Sequence, residues 1–172
     1  MDNNRIKKCI ALFILLIFYP SVYGQNIKRY YVFSSQEKGN IFHLLPVTLF
    51  EDMDGEKLSY DLTYTSWNDS ITMNFTYTKT KPLKIDSIKY VSGENKVTGK
   101  VNKLYVEPVS DKWVHRYALK SKAIDFFPIY GMNATPEIII CSNGKDYIYR
   151  VRGRDWRKYV PIGQKIFEMI HL

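Results

Sequence analysis

Polar and apolar residues alternate in two runs within the stretch from Lys57 to Thr80. Leu58, Tyr60, Leu62 and Tyr64 interleave with Lys57, Ser59, Asp61, Thr63 and Thr65. After Trp67-Asn68-Asp69-Ser70 the alternation resumes, with Ile71, Met73, Phe75 and Tyr77 set against Thr72, Asn74, Thr76 and Thr78. A period of two sends successive side chains to opposite faces of a strand. Two such runs across a short polar break therefore predict a half-buried antiparallel hairpin. One face is core, and the other is a Thr/Ser/Asn surface turned to water.

Further strands follow from the same pattern. Leu45 to Phe50 is largely apolar and ends at Glu51-Asp52-Met53-Asp54-Gly55, whose Asp-Gly marks a turn. Lys84 to Val91 and Val97 to Val106 flank the turn cluster Ser92-Gly93-Glu94-Asn95. Trp113 to Leu119 puts Trp113, His115, Tyr117 and Leu119 on one face. Glu137 to Cys141 and Asp146 to Val151 flank Asn143-Gly144, a strong hairpin signal. Tyr30 to Phe33 is the expected first strand. The C-terminus changes period. Pro161 suits a first helical turn, and Ile162, Ile166, Phe167 and Ile170 follow at helical spacing. Ala123 to Met132 fits neither period and reads as a long loop crossing the core. Many short strands with regular turns predict an all-β domain, an antiparallel β-sandwich or partly closed β-barrel with a short C-terminal helix.

The N-terminus carries a different signal. Arg5, Lys7 and Lys8 precede the charge-free apolar run Ile10 to Phe18, Pro20 and Ser21 break it, and Val22-Tyr23-Gly24 offers a cleavage site. This order describes a secretory signal peptide over residues 1–24. The run is too short for a bilayer span of about 20 residues. Residues 25–172 then form one expected domain, long enough for a core without staples. Cys9 leaves with the leader, so Cys141 has no disulfide partner in its own chain. Its neighbours Ile138-Ile139-Ile140 suggest a buried, inert thiol. Losing Arg5, Lys7, Lys8 and Asp2 takes the formal net charge from +8 to +6, a balance that suits anionic surfaces but that ordinary solubility explains better. The expected location is the periplasm or the extracellular space of a bacterium.

Few patterns carry chemistry. Placing Gly55 at the sixth position of a calcium loop puts Phe50 first and Asp61 twelfth, so the EF-hand pattern fails. His43, His115 and His171 form no metal-ligand spacing, and no metal or cofactor is expected. A Cys141–His115 dyad has no local support. Asp69-Ser70-Ile71 and Asp86-Ser87-Ile88 match short O-glycosylation patterns of Gram-negative envelopes. The densest recognition chemistry lies at Tyr147 to Tyr159, where Arg150, Arg152, Arg154, Trp156 and Arg157 crowd together. Guanidinium forks pair with carboxylate or phosphate, and aromatic faces stack on sugars. In a strand Arg150 and Arg152 share one face, with Tyr147, Tyr149 and Val151 on the other and a turn at Gly153. The competing reading is a charged edge strand over core aromatics.

These features favour an exported, non-catalytic binding or structural module that contacts a protein or an anionic glycan, with no nucleic-acid partner. The alternative is a lipocalin-like small-ligand carrier, which needs an enclosed apolar cavity of about 300 Å³ or more. A hydrolytic enzyme, needing titratable groups converging in a cleft, comes third. The exported chain is expected to begin at Gln25. The intact mass of the secreted form checks this, and a mass retaining residues 1–24 refutes it.

Overall fold

The computed structural model describes residues 27–99, 101–131 and 134–170. The expected leader and Gln25 lie outside the described residues. The ten strands are β1 (Tyr31–Gln36), β2 (Gly39–Glu51), β3 (Lys57–Thr65), β4 (Ser70–Lys79), β5 (Ser87–Ser92), β6 (Asn95–Thr98), β7 (Val101–Val109), β8 (Lys112–Lys122), β9 (Glu137–Ser142) and β10 (Lys145–Val151). Two helices, α1 (Ala123–Gly131) and α2 (Gly153–Ile170), complete the fold with short 3₁₀ turns at Ile27–Tyr30 and Ser66–Asn68.

The strands form one antiparallel sheet in the order β6-β5-β9-β10-β2-β3-β4-β8-β7, with β1 added to β2. It curls into a half-barrel, so the all-β class takes its partly closed barrel form. The hairpin read from strict alternation is β3–β4, in register from Leu58↔Tyr77 to Thr65↔Ser70. Leu58, Tyr60, Leu62, Ile71, Met73 and Phe75 are 0–2% exposed on its concave face. At the β9–β10 turn Asn143 and Gly144 both take positive φ, 50° and 75°, as a type I′ turn requires.

Three expectations need correction. The run from Val97 to Val106 is two strands, not one. The chain bends at Gly99, where an added Cβ would fall 2.9 Å from the Lys120 carbonyl oxygen, so only glycine permits the approach. Because β6 pairs with β5 and β7 with β8, this single bent stretch supplies both ends of the sheet. Second, Ala123–Gly131 is a helix, not a loop. Ala123, Phe126, Ile129 and Tyr130 are buried at i, i+3, i+6 and i+7, and Pro128 falls inside. Third, the C-terminal helix starts at Gly153, with Pro161 inside it. An interior proline costs about 3 kcal/mol. Burial of Trp156, Tyr159, Ile162, Ile166, Phe167 and Ile170 along one stripe outweighs that.

The convex face also differs from a plain wet surface. Asp61 points away from the core yet is 1% exposed. Arg116 donates to its Oδ2 and Asn74 donates to its Oδ1, each at 2.6 Å. Arg116 also donates to Thr76. A buried carboxylate is tolerable only when its lone pairs are met in this way.

Both helices close over the concave face through Tyr130. Its ring centroid lies 4.7 Å from Phe167 and 5.5 Å from Trp156, and its hydroxyl is 2.9 Å from that of Tyr60. The approach of α2 requires Gly163, where a Cβ would sit 2.5 Å from Tyr130 Cδ1. Gly163→Ala is therefore expected to destabilise the fold by about 1–3 kcal/mol through overpacking. Urea denaturation measures it, and an unchanged midpoint refutes the wedge.

Candidate functional site

An open groove of about 360 Å³ lies where the end of β2 meets the end of β10 and the start of α2. Thr48, Leu49, Phe50, Glu51 and Lys57 form one wall, while Arg150, Val151, Arg152 and Asp155 form the other. The exposed side chain of Met53, 93% accessible, stands at the lip. The strand period explains the second wall. Tyr149 and Val151 turn into the core, which leaves Arg150 outside. The Arg152 carbonyl accepts the Asp155 and Trp156 N–H groups, so Arg152 caps α2 at the point where the strand ends.

The two guanidiniums are held in the same manner. Arg150 donates its Nε–H to Glu137 at 2.7 Å, and Arg152 donates its Nε–H to Asp155 at 2.8 Å. Their terminal nitrogens make no hydrogen bond among the described residues, and the side chains are 51% and 78% exposed. Desolvation pushes the Asp155 carboxyl up, but Arg152 and Arg154 outweigh it and hold the carboxyl below its ordinary range. A guanidinium fixed through Nε still offers a pair of parallel donors, the geometry that grips a carboxylate, sulfate or phosphate.

The acidic turn beside the groove is a structured anchor. Asp52 Oδ1 accepts the N–H groups of Asp54 and Glu56 at 3.0 and 2.9 Å. Its other oxygen pairs with Lys79, whose ammonium lies 5.2 and 5.4 Å from the Tyr147 and Tyr149 ring centres. Glu56 receives Lys112 at 2.8 Å and Thr78 at 3.0 Å, and these hydrogen bonds hold its carboxyl low. Asp52 and Glu56 are thus spent on tying the β2–β3 hairpin to β4 and β8. Among the described residues no cluster of three or more His, Cys, Asp or Glu is arranged to hold a metal ion.

The expected site residues divide three ways. Arg150 and Arg152 meet at the groove. Arg154 and Arg157 lie exposed on the first turns of α2, with Arg154 Nε 3.6 Å from Asp155. Trp156 departs from the expectation: it is 2% exposed and turned into the core, so no ligand stacks on it. Lys57, Leu49 and Met53 escaped the sequence reading because only the β2–β10 pairing, Arg150↔Glu51 and Val151↔Phe50, brings them opposite the arginines.

Other reactive groups serve the fold. His115 Nε2 accepts the Leu83 N–H at 2.8 Å, so Nδ1 carries the proton that it donates to the Trp113 carbonyl at 3.0 Å. Its ring stacks on Tyr77 with centroids 4.9 Å apart. Cys141 is half-buried on the outer face of β9 instead of in the core, because the strand period places Ile138 and Ile140 inward. A hydrogen bond to Asp146 and desolvation push its thiol above the ordinary value, away from nucleophilic thiolate. Of the two Asp-Ser-Ile patterns, Ser70 is buried and bonded to Asn68, and Ser87 is half-buried in β5.

No family model matches this sequence, and no curated protein or solved structure matches it either. Among the described residues no helix is long and apolar enough to cross a membrane.

Desolvation pushes the His115 imidazole below its ordinary 6.5, while the bond to Trp113 opposes the shift only in part. As pH falls through about 6.5 the unfolded chain takes up a proton that the folded chain resists. Stability from this residue is thus complete above that pH and drops below it, by at most about 1.4 kcal/mol per pH unit. Urea titrations at descending pH are expected to show this slope in the wild type and its loss in His115→Gln.

Proposed function

We propose that the protein is an exported, non-catalytic binding module whose β2–β10 groove takes an anionic group of a glycan or protein partner. The observation that carries this reading is the pair Arg150 and Arg152. Each is fixed through Nε and presents free terminal donors to one open groove. Leu49 and Met53 beside them add apolar contact for a sugar ring or a side chain. The non-catalytic part draws support from His115 and Cys141, the first bonded at both ring nitrogens and the second held as a thiol. Tyr60, Tyr90, Phe126, Tyr130 and Phe167 fill the concave side, which weighs against the carrier alternative. Export is supported by the charge, apolar run, breaker and cleavage-site order at residues 1–24.

Retention on immobilised polygalacturonate tests the groove. Wild type is expected to bind at low salt and elute as salt rises, because exposed charges are screened beyond about 8 Å at physiological ionic strength. Arg150→Gln/Arg152→Gln is expected to keep the wild-type circular dichroism and lose at least about tenfold in affinity, about 1.4 kcal/mol. Equal binding by the folded double variant refutes the reading.

A further inference from the structure

The same edge of β2 is shared by two strands that do not meet. β1 pairs with its first half, ending at Tyr31↔Leu44, and β10 pairs only at Val151↔Phe50 and Arg150↔Glu51. Leu45 to Leu49 lie between, with no strand against that edge. On the other edge β3 stays in place, with register shifts at Leu44/Val47 and Thr48/Phe50. No other backbone bond reaches this stretch among the described residues. Leu45, Pro46 and Thr48 are exposed, while Val47 and Leu49 are half-buried against the core. Unpaired backbone on a sheet edge is a template for an added strand.

The window sets what fits it. Five residues at about 3.4 Å each give a slot of at most about 17 Å, shortened by the two register shifts and bounded at both ends by existing strands. Its Leu49 end opens into the groove that holds Arg150 and Arg152. Of the acids there, Asp52 is paired with Lys79 and Asp155 with Arg152 and Arg154. Glu51 stands in register between Lys57 and Arg150. The free donors at that end are the terminal nitrogens of the two guanidiniums and the Lys57 ammonium, which together outnumber the one Glu51 carboxylate left without an ion pair among the described residues.

We propose that Leu45–Leu49 of β2, with Arg150 and Arg152 at one end, takes up a short extended acidic peptide of a partner protein as an added strand. This rests on the groove being an anion site and names its occupant. An antiparallel peptide, matching every other pair in the sheet, lays its N-terminal residues beside the arginines. Main-chain hydrogen bonds supply affinity, with Pro46 able to accept but not to donate, and acidic side chains at the Leu49 end supply selectivity.

The probe is an acetylated, amidated pentapeptide with two acidic residues followed by Val-Thr-Val, labelled for fluorescence anisotropy with the wild-type protein. Two further peptides carry N-methyl groups on alternate amides, one on the odd set and one on the even set. An added strand turns one set to β2 and the other to solvent. One N-methylated peptide is thus expected to lose at least about tenfold, since each lost bond removes about 1 kcal/mol. The other is expected to bind within about threefold of the parent, since its blocked amides face water. Arg150→Gln/Arg152→Gln is expected to weaken the parent peptide. Equal effects of the two methylated sets overturn the added strand. Binding of polygalacturonate without binding of the peptide overturns the peptide occupant and leaves the anion groove standing. Failure of both anions overturns the groove as well.

Discussion

One curved sheet cannot bury its own concave face, and the fold depends on how Tyr130 solves that problem. Its ring lies between the sheet and α2, touching Phe126, Trp156 and Phe167, while its hydroxyl meets Tyr60. Gly163 lets the second helix come down on it. Desolvation drives the hydroxyls of Tyr60, Tyr90 and Tyr130 far above their ordinary values, so this interior stays neutral. The interior is therefore a packed aromatic layer, and the surfaces left for recognition are rims and edges.

The groove is a by-product of that closure. Chain leaving β10 must turn at once into α2 to reach Tyr130, and Arg152 caps the helix at the turn. Arg150 is set outward by the strand period, and Arg152 by its place at the end of the strand. Their carboxylate partners, Glu137 on β9 and Asp155 in the first turn of α2, steady each guanidinium without using its terminal donors. Lys79 and Lys112 pin the facing turn by the same means, so both walls rest on paired charge.

The strands were legible because alternation is a local signal. Leu58 to Tyr64 and Ile71 to Tyr77 name their own faces, and Asn143-Gly144 names its own turn. The helices were less legible. Phe127 and Pro128 obscure the stripe of α1, and Pro161, in the middle of α2, imitates a helix start. Trp156 shows why the site was half read. Next to four arginines it looks like a ligand platform, yet at i−3 from Tyr159 and i−10 from Ile166 it belongs to a buried helical stripe. Lys57 and Leu49 entered the groove through pairing between distant strands, and no local pattern encodes that. The buried Asp61–Arg116 pair is equally non-local, since its members are joined only across β3, β4 and β8.

The pairing of β10 with β2 has a mechanical consequence. β5, β6, β9 and β10 join the rest of the sheet on that side only through Arg150↔Glu51 and Val151↔Phe50, whereas β4 and β8 stay in register from Ser70↔Lys122 to Lys79↔Trp113. A ladder that short is the weakest line in the sheet, and cooperative sub-global opening starts where the fewest bonds must break together. Amide protons of the four-strand unit would then exchange with solvent as one group, ahead of those in β3, β4 and β8. The covalent continuation through Gly99 tethers that unit at its far side, and Tyr90 holds it to Phe50, Tyr60 and Phe126 through the core, so those ring contacts carry what the two-residue ladder does not.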